Sequence, residues 1–168
     1  MLPEKMPRAK WGTESMTYLP VISLWQPWAS LIFAGVKLHE TRNRRPPLKY
    51  VGGYIGIHST AKFPPHKEIS EELHELCMNV FGCGYNHSLP QGVILGMAKL
   101  SGGCPTESHK PASDEDRIAG NWSARRFAWP LSDVTPFAVP LPMKGKQGWF
   151  KFELPDLALS HNGTSQET

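Results

Sequence analysis

The chain has 168 residues, of which 40% are hydrophobic and 20% charged, so it can bury one core, and its length favours a single domain. A net charge of +3 indicates little by itself, and the distribution of charge along the chain is more informative. Three cysteines without regular spacing, and no N-terminal signal pattern, predict a reducing, cytoplasmic location, or a nuclear one in a eukaryote.

Charge is distributed unevenly along the chain. Residues 1–50 contain eight Lys or Arg and three acidic residues, whereas residues 61–120 contain five basic and eight acidic residues. A molecule with one basic side is compatible with a polyanionic partner, although an ordinary solvated surface can have the same asymmetry.

Both ends of the chain differ in composition from the segment between them. Residues 1–16 are polar and aperiodic, and the last residues follow Pro155, so we expect a disordered extension over 1–16, one domain over 17–154 and a disordered tail over 155–168. Residues 17–36 carry no charge, but Pro20, Gln26 and Pro27 interrupt them. We therefore expect no membrane association.

The first predicted elements are a short helix and a charged strand. Pro27 suits the first position of a helix, and Gly35 suits the left-handed residue just past its end, which leaves about two turns between them. Residues 38–42 then predict an extended segment. Lys37, Glu40 and Arg42 are thereby placed at the edge of a core.

The remaining elements are mostly strands. The pattern predicts strands over residues 53–59, 93–100, 122–131, 134–139 and 148–154, a helix from Pro65 to Gly82, and a long loop over residues 101–121. Five or six strands with two main helices, without regular strand–helix alternation, indicate an α+β fold. We predict a small mixed β-barrel with two flanking helices.

Residues 35–42 also carry a family signature. Gly35, Lys37, Glu40 and Arg42 fit the pattern Gly-x-Lys-x-x-Glu-x-Arg, and the preceding Leu-Trp-Gln-Pro-Trp-Ala-Ser-Leu is a typical lead-in. The chain resembles the ASCH (activating signal cointegrator homology) family, and further similar blocks extend the resemblance over roughly residues 20–152. This resemblance implies a PUA-like β-barrel, related to domains that bind RNA or hold a flipped modified base.

The signature residues suggest a binding pocket. Arg42 can orient the Glu40 carboxylate, which leaves an oxygen free to accept from an amine or hydroxyl, and Lys37 offers a cation for a phosphate or carbonyl. The alternative for Glu40 and Arg42 is an ion pair that locks the helix to the sheet. If the protein is an enzyme, Lys37 and Glu40 are its candidate catalytic residues.

Other residues are candidates for binding a base or a phosphate, each with a structural alternative. Trp25 and Trp28 can stack on bases or belong to the core, Gln26 can read a base edge or cap the helix, and His58 can donate to a phosphate or be a satisfied core histidine. Further candidates are Arg126, which matches the family, and a basic turn that can grip phosphates or be a solvated hairpin, with Lys144, Lys146 and Gln147. Neither a metal site nor a cofactor is predicted.

Three functions are compatible with these residues. The leading prediction is a module that binds RNA, DNA or a modified nucleotide, with the base in a cleft beside the first helix and the phosphates on basic loops. The second is a hydrolase of a modified pyrimidine nucleoside, or a ribonuclease. The family that the chain resembles includes acetylcytidine hydrolases, in which a threonine follows the motif lysine by three residues. In this chain the corresponding position is occupied by Glu40. The third is a protein-interaction module whose surface is the acidic helix from Pro65 to Gly82.

Overall fold

One sheet of eight strands organises the chain in the computed structural model, which describes residues 8–11 and 14–154. The strands are β1 (Arg8–Trp11), β2 (Glu14–Leu24), β3 (His39–Arg42), β4 (Tyr54–Ser59), β5 (Val93–Leu100), β6 (Cys104–Pro105), β7 (Phe127–Pro142) and β8 (Phe150–Glu153). Their order is β1-β2-β4-β5-β7-β3, with β6 also paired to β7 and β8 also paired to β2. β2 and β4 are parallel, and the other pairs are antiparallel. The fold is α+β, as predicted.

The sheet is not closed into the barrel that the sequence predicts. β7 is long enough to pair with β5, β6 and β3 at different points, so β3 lies at one edge of the sheet, far from β2 in strand order. Among the described strands, no ladder joins β3 to β2. Instead, Arg42 Nη2 donates to the Ser23 carbonyl at 3.2 Å, so a side chain spans the gap between the two strands.

Four α-helices are described, α1 (Trp28–Phe33), α2 (Glu71–Phe81), α3 (Tyr85–Ser88) and α4 (Asp114–Ile118), together with two 3₁₀ turns at Leu48–Tyr50 and His66–Glu68. α1 confirms the predicted helix, and Gly35 has a φ of +74°, the left-handed conformation expected just past a helix end. α2 begins later than Pro65, because Ser70 caps it by accepting from the Leu73 amide. None of the described helices is long and apolar enough to cross a membrane.

The prediction of a loop over residues 101–121 is wrong in part. That segment contains β6 and α4, and Ser113 caps α4 by accepting from the Asp116 amide. Three acidic residues in the first turn further stabilise this short helix through its dipole. The two strands predicted between residues 122 and 139 are one strand, β7, which tolerates several prolines because its pairing is irregular.

The core lies on both sides of the central strands. On one side, residues of β2, β4 and β5 pack against α1. This cluster includes Ile22, Ile55 and Ile57 from the strands and Ile32 from the helix. Leu19, Val21, Ile94 and Phe150 form a second cluster, and α2 and α3 pack on Leu31 in a third. α1 is thereby fixed between the sheet and α2, so the chain that leaves it has a defined starting point.

The N-terminal segment is partly strand. The sequence predicts disorder over residues 1–16, whereas Arg8–Trp11 pairs antiparallel with the start of β2, where Arg8 faces Thr17 and Trp11 faces Glu14. The rest of that prediction, residues 1–7 and 12–13, lies outside the described residues, as does the predicted tail over 155–168.

Candidate functional site

A cleft of about 600 Å³ lies between α1, β3 and the chain that follows α4. The end of β2, Thr60, the chain around the start of α2 with Glu68, Ser70 and Leu73, and the residue before β7 also line it. Its lining combines aromatic, charged and small polar groups, among them Trp25, Trp28, Lys37, Glu40, Arg42 and Arg126. Three of these six lie between β2 and β3, and Glu40 and Arg42 lie in β3 itself, so five come from one continuous stretch of chain.

Lys37 lies at the base of the cleft and is almost completely buried, with 1% of its surface exposed. Its ammonium group donates to the carbonyls of His39 at 2.7 Å and Ala119 at 2.8 Å, and it lies 3.3 Å from Glu40 Oε2. An ammonium group has three N–H donors and no acceptor. Two of these donors bond to buried carbonyls and the ammonium group also faces Glu40, so Lys37 is engaged mainly by the protein and, as an ammonium group, has no lone pair with which to act as a base.

The Lys37 contacts also hold the wall of the cleft in place. Ala119 is the C-cap residue of α4, where helix carbonyls lack intrahelical partners and a cation is favourable. Lys37 thus joins β3 to the end of α4 and neutralises the carboxylate of Glu40. Its position makes it a structural organiser of the cleft.

Glu40 presents an oriented acceptor group in the cleft. Its Oε1 accepts from Arg42 Nε at 2.7 Å, and its Oε2 faces Lys37. A carboxylate has about four acceptor positions, and two are used in these contacts. Glu40 can therefore accept further hydrogen bonds from an amine, a ring N–H or a hydroxyl group, while two cations keep its orientation fixed.

Arg42 and Arg126 supply donors on either side of Glu40. The side chain of Arg42 is 37% exposed, and besides its bonds to Glu40 and Ser23 it keeps guanidinium N–H groups that can reach a ligand. Arg126 donates to the carbonyls of Asn121 and Thr41, which positions its remaining N–H groups at the cleft. Neither arginine is saturated by these contacts.

The aromatic residues differ in accessibility. Trp25 is 44% exposed at the rim of the cleft, and the half-buried Trp28 lines the cleft while also packing against the core. Trp129 is buried, and its Nε1 donates to the Arg44 carbonyl at 3.0 Å. Trp25 is therefore the aromatic side chain best placed to stack on a ligand.

A buried polar cluster supports the cleft from the other face of β3. Asp116 is fully buried, and its carboxylate accepts from the backbone amides of Leu38, His39 and Ala112 and from His39 Nδ1 at 2.7 Å. Burial alone would raise the pKa of Asp116, but the hydrogen bonds from His39 and the two backbone amides of Ala112 and Leu38 lower it below the ordinary 3.8. The carboxylate thus stays charged and fastens α4 to β3.

Sequence reasoning missed this cluster. His39 Nε2 lies 2.9 Å from His109 Nε2, and Trp122 packs edge-on against His39 and donates to the Asp116 carbonyl. An acidic residue in the first turn of a short helix is common, and nothing in the sequence identifies its partner 77 positions earlier. The one signal in the sequence is the alternation along residues 39–42, which places the side chains of His39 and Glu40 on opposite faces of the strand.

Residues 22–130 match the ASCH domain family. The match covers more than half of the chain and includes α1, β3 and every residue of the cleft described above. The chain belongs to the ASCH family. This confirms the resemblance found in the sequence.

Solved ASCH structures are similar to this ASCH domain. The crystal structure of ASCH from Zymomonas mobilis has 18% sequence identity and a TM-score of 0.48, and the similarity covers 83% of this chain and 90% of that chain. Crystal structures of two mutant ZmASCH proteins from Zymomonas mobilis also have 18% identity, and the similarity covers 83% of this chain. One mutant structure is covered to 92% with a TM-score of 0.45, and the other to 90% with a TM-score of 0.46. No curated protein matches the chain.

Two predicted ligand-binding residues of the ASCH domain are occupied by structural contacts. The amide of the buried Gln26 donates to the Pro90 carbonyl at 2.7 Å and accepts from the Ser30 amide at 3.0 Å, as expected for the capping alternative. His58 is also fully buried, because β4 is covered on both faces. Its Nε2 donates to the Met143 carbonyl, so its Nδ1 accepts from Ser23 Oγ. Neither residue has a polar group available to a ligand.

The basic turn of the ASCH domain lies beside the cleft rather than in it. Lys144, Lys146 and Gln147 are exposed, and none of them lines the cleft. Between them, Gly145 packs so closely on His58 that a Cβ would lie 2.6 Å from its Cε1 and 3.3 Å from Ser23 Oγ. Since Ser23 lines the cleft, the turn borders the rim at that side. Among the described residues, no group of three or more His, Cys, Asp or Glu could hold a metal ion.

Proposed function

We propose that this ASCH domain binds RNA or DNA and takes an unpaired base, or the end of a strand, into the cleft between α1 and β3. The observation that carries the proposal is the oriented carboxylate of Glu40, which has free acceptor positions in a cleft bordered by an exposed tryptophan. A nucleobase matches both features, because its edge carries N–H donors and its face can stack.

The cleft chemistry favours a ligand with donors in the plane of a ring. Glu40 can accept from the exocyclic amine or ring N–H of a base, and the fixed positions of Lys37 and Arg42 lower the cost of ordering the carboxylate. Trp25 at the rim can stack on the same base, which contributes about 1–3 kcal/mol per base in comparable sites. The free N–H groups of Arg42 and Arg126 can reach a phosphate or a sugar hydroxyl.

The same contacts favour binding over hydrolysis. Lys37 donates to two buried carbonyls and faces Glu40 as an ammonium group, which has no lone pair with which to take a proton from a nucleophile or water. Thr41, next to the position where the acetylcytidine hydrolases carry their nucleophile, lines the cleft, but its hydroxyl oxygen accepts from the Asn121 amide at 2.9 Å and so is engaged with the cleft wall. Among the described residues, no specific contact favours a nucleoside hydrolase or a ribonuclease.

The proposal is tested by titrating the protein with short single-stranded RNA and DNA oligonucleotides at low salt and following the fluorescence of a labelled strand. Trp25→Ala should weaken binding about 5- to 150-fold, which corresponds to the loss of one stacked base. Glu40→Gln should weaken binding of strands whose terminal base offers an amine. Glu75→Gln, on the exposed side of α2, is the matched control and should bind as the wild type does. Failure of every oligonucleotide to bind at low salt would refute the proposal.

A further inference from the structure

Two basic loops meet at one aromatic stack outside the cleft. Trp149 follows the turn over residues 144–148, and its ring lies 4.6 Å from that of Tyr50 and 6.0 Å from that of Trp129, almost parallel to the latter at 11°. Tyr50 ends the loop over residues 43–50, and Trp129 Nε1 holds that loop by donating to the Arg44 carbonyl. The two loops are therefore neighbours, and we call their joint surface the basic ridge.

The charged residues of the two loops that form the basic ridge are all basic. The segments 41–67 and 134–152 contain no Asp or Glu, so neither loop carries a carboxylate of its own. The cations exposed on the ridge are Arg44, Arg45, Lys49, Lys144 and Lys146. Within the part of the chain that the structure describes, none of the five forms an ion pair. Their charge is available to an anionic partner.

Some of these cations are positioned by the fold, which reduces the entropy they would lose on binding. The guanidinium of Arg45 lies 4.9 Å from the Phe127 ring centroid and donates to the Gly103 carbonyl. The Lys49 ammonium lies 4.9 Å from the Tyr50 ring centroid. Leu48, between them in the loop, is 87% exposed and gives the ridge an apolar face beside its charges.

The ridge is continuous with the cleft on both sides. Arg42 lines the cleft, and its guanidinium lies 6.0 Å from the centroid of Trp129, the ring that holds the first loop. Gly145, in the second loop, packs against Ser23, which also lines the cleft. A chain of phosphates that starts at the cleft would therefore meet Arg42 first and the ridge next.

We propose that the basic ridge binds the sugar-phosphate backbone of a single-stranded nucleic acid whose unpaired base occupies the cleft. This inference rests on the proposed function and deepens it, because it makes the ligand an oligonucleotide rather than a free nucleoside or mononucleotide. A strand is favoured over an acidic peptide because the ridge offers aromatic and apolar surface between the cations, which bases can contact while the cations bind phosphates.

The test compares ligand length in two variants of the full chain. Affinities are measured for a nucleoside monophosphate, a single-stranded eight-nucleotide RNA, the same DNA sequence, and the corresponding duplex, each over a series of salt concentrations. Lys144→Gln/Lys146→Gln removes two ridge charges, and Lys67→Gln/Lys110→Gln removes two exposed charges outside both loops as the matched control. All four positions are exposed, and thermal unfolding of each variant checks that the fold is retained.

We expect the wild type to bind the single strand at least tenfold more tightly than the monophosphate. The ridge variant should lose most of that gain, keep its affinity for the monophosphate, and reduce the slope of log affinity against log salt by about 1.4, since two phosphate contacts are lost at about 0.7 each. The control variant should behave as the wild type does.

The outcomes separate the ridge from the cleft. If the monophosphate binds but the strand binds no more tightly, or if the ridge variant keeps the full salt slope, the ridge proposal is overturned while the cleft proposal stands. If the duplex binds as tightly as the single strand, the single-strand assignment is overturned. If neither monophosphate nor strand binds at low salt, both proposals fail together.

Discussion

Substitution of Lys37 by methionine tests whether this residue organises the cleft or serves a ligand. Methionine keeps nearly the length and apolar stem of lysine, so the substitution removes the ammonium group with little change in volume. It leaves the His39 and Ala119 carbonyls without their donor and leaves the Glu40 carboxylate with Arg42 as its remaining cation. The result is a change in buried polar contacts, separate from any change in the shape of the core.

The contacts determine the size of the expected effect. Removing one partner of a buried ion pair typically costs 3–5 kcal/mol, because the other partner is left uncompensated. Since Arg42 still neutralises Glu40, we expect the lower end, about 3 kcal/mol of unfolding free energy. For a domain of this size, that corresponds to a fall in melting temperature of about 6–12 °C.

The assay is urea-induced unfolding of Lys37→Met, Glu40→Gln and the double variant, followed by tryptophan fluorescence. Glu40→Gln removes the charge that Lys37 neutralises, so the double variant should lose less stability than the sum of the two single variants. We expect the difference to be about 1–2 kcal/mol. Lys110→Met, at an exposed position, should change stability by less than about 0.5 kcal/mol and serves as the control.

One result would refute this reasoning. If Lys37→Met unfolds within about 1 kcal/mol of the wild type while oligonucleotide affinity falls more than tenfold, the ammonium group serves the ligand rather than the fold. Lys37 would then be a ligand-binding residue, and its hydrogen bonds to the His39 and Ala119 carbonyls would contribute little to the stability of the fold.

Three further predictions concern buried groups. Asp116→Asn should lower the free energy of unfolding by about 2–4 kcal/mol in urea, because an amide can no longer accept from both His39 and Ala112; a loss under 1 kcal/mol would contradict this. Burial lowers the pKa of His58 below the ordinary 6.5, and its hydrogen bond to the Met143 carbonyl raises it by less. As the pH drops, His58 is therefore protonated in the unfolded chain before it is protonated in the folded one. The free energy of unfolding should then fall as the pH drops below about 6.5. His58→Gln should flatten that slope in unfolding measurements at pH 5 and 7, and an unchanged slope would exclude His58 as its source. Burial raises the pKa of Cys77 to about 12, so iodoacetamide at pH 8 should modify the exposed Cys83 and spare Cys77, as mass spectrometry can show; equal labelling would contradict the burial.

Local patterns predicted the parts of the fold that local chemistry determines. α1 and β3 follow from Pro27, Gly35 and the alternation after Lys37, and the structure confirms both. The same pattern placed Glu40 and Arg42 on one side of the strand, where their side chains form a bond of 2.7 Å. Short-range spacing was sufficient because the interacting residues are two or three positions apart.

Features that depend on residues distant in the sequence could not be predicted from local patterns. No strand was predicted over β2, because its apolar residues 18–24 run without a break into the segment before α1. α4 was missed because a helix of five residues is too short to have a visible period. The role of Lys37 depends on the Ala119 carbonyl, 82 positions later, and a backbone carbonyl leaves no trace in the sequence. The barrel prediction failed for a related reason, since strand closure depends on pairings that no local pattern encodes.

The wall of the cleft formed by α4 and the residues after it is held to β3 mainly by polar contacts. Lys37 bonds to Ala119, the backbone of Leu38 and His39 bonds to Asp116, and Thr41 accepts from the Asn121 amide. We expect these contacts to break together while the ladders of β4, β5 and β7 stay intact. The amides of residues 114–121 would then exchange with solvent as one cooperative unit, ahead of the sheet, and a ligand in the cleft would slow that exchange.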